Sequence, residues 1–187
     1  MKIHFSSIAV VGAGAMGQGI AQIATQAGSH VWLLDSKPGA ADKARQAIQQ
    51  QWAKLAAKGR VTEEQVQAWS QLLQIANTLA DLGPCQLVIE AVVERLEVKQ
   101  ALFAELERTL PANVVWATNT SSLSVTAIAA ALQQPERLAG FHFFNPVPLM
   151  KVVEVVAGLK TAPALCQALT AYAREMGHTP VQAQDTP

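Results

Sequence analysis

The sequence predicts an α/β fold in which helices cover both faces of a mostly parallel sheet. Short and almost wholly apolar stretches, such as residues 8–12, 87–94 and 114–119, are typical of strands that are buried on both sides. Segments whose apolar residues recur at helical spacing alternate with them, as parallel strands and their crossover helices require. The 187 residues are half apolar and only 15% charged, which is enough for one domain with a substantial core.

Most of the predicted strands are runs of five to eight residues rich in Val, Ile, Leu or Phe. In order, the predicted strands are residues 8–12, 30–35, 87–94, 114–119, 138–144, 152–156 and 179–184. The helices between them are predicted at residues 15–28, Pro38 to about Lys58, a segment after Thr62, 96–110, Ser124 to Leu132, and 164–177. We predict that residues 1–187 form a single domain.

Capping residues set several of these helix boundaries. Gly28 is suited to a helix C-cap, and Pro38 is suited to a first turn. Thr62 and Ser124 are suited to N-caps because their hydroxyls accept hydrogen bonds from free backbone N–H groups, and Pro111 ends the helix before it.

Residues 3–34 contain no Lys, Arg, Asp or Glu, which raises the possibility of a signal peptide or a membrane span. We reject both interpretations because glycines interrupt the segment and Gln18, Gln22, Gln26 and His30 would place polar groups in hydrocarbon. We therefore expect no membrane partner and a cytoplasmic location.

The charge balance and the cysteine spacing give no support for a nucleic-acid-binding protein or a metal-binding protein. Lys and Arg together number 14, as do Asp and Glu, so composition favours no nucleic-acid partner. Cys85 and Cys166 are far apart and fit no metal or redox spacing, so we predict free thiols and no metal site.

A glycine motif predicts the ligand. Gly12, Gly14 and Gly17 have the G-x-G-x-x-G spacing, follow a predicted strand and open a helix. Asp35 ends the second strand, where a carboxylate accepts hydrogen bonds from ribose hydroxyls and repels a 2′-phosphate. The motif predicts NAD in preference to NADP. The alternatives are a glycine turn without a ligand and, for Asp35, a helix N-cap.

With this motif the expected fold becomes a Rossmann-type doubly wound sheet. We predict that its first six strands are parallel, that a basic helical excursion follows strand 2, and that a final antiparallel strand pair region lies near the C-terminus.

His142 lies in a run of Phe and Glu154 lies in a run of Val, and each is costly in an apolar setting unless it is paired. Each is six residues from Pro148, so an antiparallel pair of strands folding back at residues 145–148 would place them opposite each other. A carboxylate on one imidazole nitrogen leaves the other nitrogen free to take a proton. The alternative is a satisfied core histidine and a strand-edge glutamate.

Four motifs resemble the NAD-binding domain of the L-3-hydroxyacyl-CoA dehydrogenases, particularly the stand-alone bacterial 3-hydroxybutyryl- and 3-hydroxyadipyl-CoA enzymes. They are GAGAMG, VIEAVVERLEVK (88–99), TNTSSLS (118–124) and GFHFFNPVPLMKVVEVV (140–156). The resemblance implies NAD-dependent oxidation of (S)-3-hydroxyacyl-CoA to 3-oxoacyl-CoA, in fatty acid or phenylacetate-type catabolism. Other possibilities are a Rossmann dehydrogenase of another small hydroxy substrate and an NAD-binding module without turnover.

The resemblance also implies roles for individual residues. His142 would be the general base, Glu154 would orient it, and Ser121 would contact the substrate oxygen. The implied cofactor-binding residues are Gly12, Gly14, Met16, Gly17, Asp35, Glu94, Lys99, Asn119 and Asn145. The alternatives are a helix-start acid for Glu94, a solvated Lys99, and turn positions for Ser121 and Asn145.

Residues 37–60 hold six Lys or Arg against one Asp. Lys43, Lys54 and Lys58 fall on one helical face, beside an apolar stripe of Ala44, Ile48, Trp52 and Leu55. In the family this segment meets the phosphates of coenzyme A, although a solvated lysine face would have the same pattern.

The family continues into a helical domain that completes the substrate cleft and forms a homodimer, whereas this chain ends at Pro187. We therefore expect this chain to be a truncated cofactor domain, weakly active or inactive by itself, and we expect the dimer only with the C-terminal domain.

Overall fold

The computed structural model describes residues 4–185, which form one eight-stranded sheet with six α-helices. The strands are β1 Ser7–Val11, β2 His30–Leu34, β3 Leu73–Ile75, β4 Leu87–Glu90, β5 Val115–Thr118, β6 Leu138–Phe143, β7 Val152–Ala157 and β8 Thr179–Gln184. The helices are α1 Ala15–Gln26, α2 Ala40–Ala57, α3 Glu63–Leu72, α4 Leu96–Thr109, α5 Val125–Ala129 and α6 Pro163–Glu175.

The strand order is β3-β2-β1-β4-β5-β6-β7-β8. Strands β1 to β6 pair in parallel, β7 is antiparallel to β6, and β8 is parallel to β7. The predicted Rossmann-type fold class, with six parallel strands and a final antiparallel pair, is confirmed. The chain order reverses beside β1, so the carboxyl ends of β1 and β4 form the crevice in which such sheets bind ligands.

Two hydrophobic clusters fill the space on either side of the sheet. One contains Val10 with Ile20 of α1, Trp52 of α2 and Leu169 of α6, and the other contains Val11 with residues of α4 and α5. Adjacent residues of one strand thus enter opposite layers, which explains why the central strands are apolar at nearly every position.

The structure confirms two predicted caps. The Thr62 hydroxyl accepts a hydrogen bond from the Gln65 N–H (3.2 Å) and the Gln65 side chain accepts one from the Thr62 N–H (2.9 Å), which forms a capping box. The Ser124 hydroxyl accepts a hydrogen bond from the Ala127 N–H (3.2 Å).

Two sequence predictions were wrong in detail, and one strand was not predicted. Helix α2 begins at Ala40 with Gly39 as its N-cap at φ +75°, so Pro38 precedes the helix instead of occupying its first turn. Helix α5 ends at Ala129 and not at Leu132. Strand β3 was not predicted, because three residues directly after a helix carry no alternation that distinguishes a strand.

In residues 4–185 we find no helix with the length and apolar character needed to cross a bilayer.

Candidate active site

The glycine loop joins β1 to α1 at the point where the strand order reverses, and its three glycines have different surroundings. Gly12 has φ +106°, and a Cβ there would collide with the Ala91 carbonyl oxygen. A Cβ on Gly17 would collide with the Gly12 carbonyl oxygen, whereas one on Gly14 would meet open space. Gly12 and Gly17 are therefore required for packing, and Gly14 leaves room for a ligand to approach the backbone.

Asp35 follows β2 and faces the same loop. Its carboxylate accepts hydrogen bonds from the Ala13 N–H (2.7 Å) and the Lys37 N–H (2.8 Å), so it holds the glycine loop in place. Because Gly39 caps α2, the N-cap interpretation of Asp35 is wrong. Each carboxylate oxygen has a second lone pair that can accept a ribose hydroxyl.

A cleft of about 410 Å³ opens between these elements, and we call it the glycine-loop cleft. It is lined by Val11, Gly12, Gly14, Asp35, Ser36, Ala91, Val92, Val93, Val98 and Leu102. The N-cap of α1 is Gly14, which has no side chain to satisfy the free N–H groups of the first turn. An anion-binding helix end, open space at Gly14 and a carboxylate beside it fit a dinucleotide with its pyrophosphate and ribose.

His142 on β6 and Glu154 on β7 face each other in the antiparallel register, as predicted from their equal distance to Pro148. The His142 Nδ1 and a Glu154 carboxylate oxygen are 2.8 Å apart. The His142 side chain is 15% exposed and that of Glu154 is 38% exposed, so the imidazole is sheltered while its carboxylate is partly hydrated. A proton on Nδ1 donated to Glu154 makes Nε2 the proton acceptor.

His142 lines a second cleft of about 360 Å³, which we call the histidine cleft. Its lining is Met16, Ala91, Val92, Glu94, Asn119, Ser121, His142, Phe143, Phe144 and Asn145. Because Ala91 and Val92 line both clefts, the two adjoin across the end of β4. Five of the predicted site residues around the base, namely Met16, Glu94, Asn119, Ser121 and Asn145, are brought together here.

Glu94 holds the loop that carries Ser121. One of its carboxylate oxygens accepts hydrogen bonds from the Thr120 hydroxyl, the Ser121 N–H (3.0 Å) and the Ser122 N–H (3.2 Å). Burial opposes ionisation of Glu94, but the Thr120 hydroxyl, the Ser121 N–H and the Lys99 charge outweigh it and lower the pKa to about 2. Glu94 therefore remains a carboxylate throughout the physiological range.

Lys99 lies beneath this loop and is only 1% exposed. Its ammonium is 2.5 Å from the Glu90 carboxylate and 3.2 Å from the other Glu94 oxygen. Glu90 is fully buried and also accepts hydrogen bonds from the Val92 N–H (2.7 Å) and the Thr118 hydroxyl (2.6 Å). Lys99 thus joins the buried end of β4 to the cleft through Glu94.

The far end of the same loop is held by Asp185. Its carboxylate accepts hydrogen bonds from the Ser124 hydroxyl (2.8 Å), the Val125 N–H (2.8 Å) and the Thr126 N–H (2.7 Å). Hydrogen bonds to Glu94 at one end and to Asp185 at the other therefore hold residues 120–126 in place.

The three lysines predicted to meet coenzyme A are not clustered. Lys54 lines a third cleft of about 450 Å³ together with Gln18, Gln22 and Asn145. Lys43 and Lys58 are exposed on α2 and at its C-cap, and their separation of 15 positions corresponds to roughly 22 Å of helix. Only an extended ligand could meet all three.

Sequence reasoning missed four residues of the site, namely Glu90, Thr118, Thr120 and Asp185. Glu90 carried a usable signal, since it is a lone carboxylate in an apolar strand, as Glu154 is. The others carried none, because threonines at a strand end and an acid near a terminus are ordinary surface residues in sequence.

Comparisons with known proteins agree with this geometry. The sequence profile described as "3-hydroxyacyl-CoA dehydrogenase, NAD binding domain" matches residues 7–186. The chain is 42% identical to the 3-hydroxyadipyl-CoA dehydrogenase of Escherichia coli K12, covering 100% of this chain and 39% of that protein. It is 40% identical to a probable 3-hydroxybutyryl-CoA dehydrogenase of Bacillus subtilis, covering 99% of this chain and 64% of that protein.

A solved structure gives the same result. The crystal structure of an Escherichia coli K12 3-hydroxybutyryl-CoA dehydrogenase superposes with a TM-score of 0.95 at 42% identity, over 98% of this chain and 39% of that one. The chain thus spans between 39% and 64% of the length of these three relatives. Since the family profile covers residues 7–186, this chain belongs to the 3-hydroxyacyl-CoA dehydrogenase NAD binding domain family, and its predicted cofactor, NAD, is the one that the family binds.

Proposed function

We propose that this chain is the cofactor domain of an enzyme that oxidises (S)-3-hydroxyacyl-CoA to 3-oxoacyl-CoA with NAD. The observation that carries the proposal is the 2.8 Å contact between His142 and Glu154 in a cleft that adjoins the glycine-loop cleft. A proton acceptor beside a dinucleotide site is what the oxidation of an alcohol requires.

The chain's own residues would handle the proton. NAD, when bound, would be the hydride acceptor. His142 takes the hydroxyl proton at Nε2, and the Glu154 carboxylate stabilises the resulting imidazolium through Nδ1. The exposed Ser121 hydroxyl hydrogen-bonds the reacting oxygen, and Glu94 keeps its loop in place.

The cofactor would extend along both clefts. Gly12, Gly14 and Gly17 would form the pyrophosphate cradle, and Asp35 would bind the ribose of the adenosine. The nicotinamide end would lie in the histidine cleft, in contact with Met16, Asn119 and Asn145. Glu94 lines the same cleft, and the buried Lys99 pairs with Glu94. The Phe143 N–H donates to the Asn119 side-chain oxygen (2.9 Å), which fixes that amide.

The acyl-CoA would enter over α2. Lys54 lines the cleft beside Asn145, and Lys43 and Lys58 extend the positive surface along the helix, where the pyrophosphate and 3′-phosphate of coenzyme A would lie. We also propose a cytoplasmic enzyme whose C-terminal helical domain closes this surface and forms the homodimer. Its pathway would be fatty acid or phenylacetate-type catabolism.

The experiment that tests the function is reduction of acetoacetyl-CoA by NADH in the longer protein to which this domain would belong, with and without His142→Gln. Loss of the general base should lower turnover by about 10² to 10⁴ and leave NAD affinity nearly unchanged. The matched control is His30→Gln, an exposed histidine at the start of β2. Turnover of the His142→Gln protein within a few-fold of normal would return His142 to the status of a packing residue.

A further inference from the structure

The charges that line the histidine cleft are few. Among its lining residues in the described part of the chain, Glu94 is the one carboxylate and His142 the one basic group. Glu94 lines the cleft and its side chain is 37% exposed, so its charge adjoins the cleft and is only partly hydrated. Any charge that changes inside this cleft is therefore close to one fixed anion.

The ionised state of Glu94 is built into its contacts. The Thr120 hydroxyl, two backbone N–H groups and the Lys99 ammonium all donate to it, and a protonated carboxyl would lose several of these bonds. Burial opposes ionisation, but these donors lower the pKa of Glu94 to about 2.

Lys99 does not cancel this charge, because a second carboxylate holds it more closely. The Lys99 ammonium is 2.5 Å from Glu90 and 3.2 Å from Glu94. Glu90 is fully buried and receives three donors, so it is an acceptor-only carboxylate. Two anions and one cation leave one net negative charge, and the exposed member of the three is Glu94.

We propose that Glu94 is a specificity-determining residue that makes the cofactor site bind oxidised NAD more tightly relative to NADH. This inference rests on the proposed function, which places the nicotinamide end of the cofactor in the histidine cleft. The nicotinamide ring is a cation in the oxidised cofactor and neutral in the reduced one, whereas the pyrophosphate and adenosine are the same in both. A fixed anion beside the ring therefore stabilises the oxidised form selectively.

The consequence for a hydroxyacyl oxidation is a cofactor site that holds the substrate form of the dinucleotide and releases the product form more readily. Glu94 does this without taking part in proton transfer, because it stays ionised over the whole working range of the enzyme. Its second task, holding the Ser121 loop, is separable by mutation to glutamine, because the amide oxygen can still accept the bonds from the Ser121 and Ser122 N–H groups.

The test is equilibrium binding of NAD and of NADH to the 187-residue chain by calorimetry, which requires no turnover. Glu94→Gln removes the charge at constant volume. We expect the ratio of the NAD to the NADH dissociation constant to rise by about threefold to tenfold, through weaker binding of NAD, as for a partly hydrated ion pair.

Two variants separate charge from structure. Asp35→Asn removes a carboxylate from the adenosine end of the site, so both affinities should fall together and the ratio should stay within about twofold, since screening limits the reach of a distant charge. Thr120→Val removes one hydrogen bond to Glu94 but keeps its charge, so it too should keep the ratio even if the loop loosens.

Should Glu94→Gln fail to fold, the unmodified chain gives an independent answer. Raising the salt concentration from about 0.01 M to about 1 M shortens the screening length from about 30 Å to about 3 Å, and the ratio of the NAD to the NADH dissociation constant should rise. An unchanged ratio in Glu94→Gln, an unchanged ratio across the salt series, or an equal change in Thr120→Val would each overturn the inference. Failure of both cofactors to bind the unmodified chain would overturn the proposed function instead.

Discussion

Two acidic residues lie in apolar strands of this chain, and each is stabilised differently. Glu154 on β7 pairs with His142 across the antiparallel register and remains 38% exposed. Glu90 at the end of β4 is fully buried and is neutralised by Lys99, with the Thr118 hydroxyl and the Val92 N–H completing its hydrogen bonds. Since burying an unpaired carboxylate is costly, a lone acid in an apolar strand indicates a partner elsewhere in the chain.

The glycines of the loop give a prediction at the same scale. Gly14→Ala should leave the melting temperature nearly unchanged, because the added Cβ meets open space, but should weaken NAD binding roughly tenfold by blocking the pyrophosphate. Gly17→Ala should lower the free energy of unfolding by about 1 to 3 kcal/mol, because its Cβ collides with the Gly12 carbonyl oxygen.

Thermal melts and NAD titrations of the two variants check this. Equal melting temperatures for Gly14→Ala and Gly17→Ala, or undiminished NAD affinity in Gly14→Ala, would contradict the assignment of packing to one glycine and ligand contact to the other.

At the scale of elements, the site depends on how β6 and β7 pair. The residues 145–148 between them return the chain so that His142 meets Glu154, and a register shift of one residue would put Glu154 on the opposite face of the sheet. The core residues on either side, Phe141 with Val155 and Phe143 with Val153, make such a shift costly because all four side chains are buried. The packing that forms the core therefore also aligns the pair.

Helix α2 gives a prediction at this scale. Lys54→Ala should raise the KM for acetoacetyl-CoA about threefold to tenfold in the longer protein and reduce its salt dependence, because a phosphate contact is lost. The matched control is Lys160→Ala, an exposed lysine in the loop after β7 that is not among the residues lining the cleft that contains Lys54. Steady-state kinetics at two salt concentrations would measure both, and equal effects of the two variants would show that the α2 lysines are solvated surface.

At the scale of the whole molecule, the sheet leaves the active-site region partly uncovered. Val152 of β7 and Val181 of β8, the cross-strand partner of Glu154, are 40% and 46% exposed. The relatives that match this chain are 1.6 to 2.6 times as long, from their 64% and 39% coverage. The helical domain proposed above would cover this face.

The prediction for the whole molecule follows from that exposure. The 187-residue chain should bind NAD but reduce acetoacetyl-CoA far more slowly than the longer protein. The partly hydrated Glu154 carboxylate couples more weakly to His142, and the proposed helical domain would supply one wall of the substrate cleft. It should also lack the homodimer that we propose for the longer protein. Coupled assays and light scattering on both proteins, side by side, check both statements. Comparable turnover would show that the substrate site is complete within these residues.

The sequence by itself determined the fold class, the glycine loop with Asp35, and the opposition of His142 and Glu154. Each depends on local patterns: alternating strand and helix periodicity, glycine spacing, and two residues equidistant from a proline turn. Only the tertiary structure decided the rest. In the folded chain, Glu94 accepts a hydrogen bond from the Ser121 loop and Lys99 pairs with the buried Glu90. Asp185 binds the other end of the loop. These partners are separated by 9 to 61 residues and come from different strands and helices, so their contacts follow from how the layers pack and not from any local pattern in the chain.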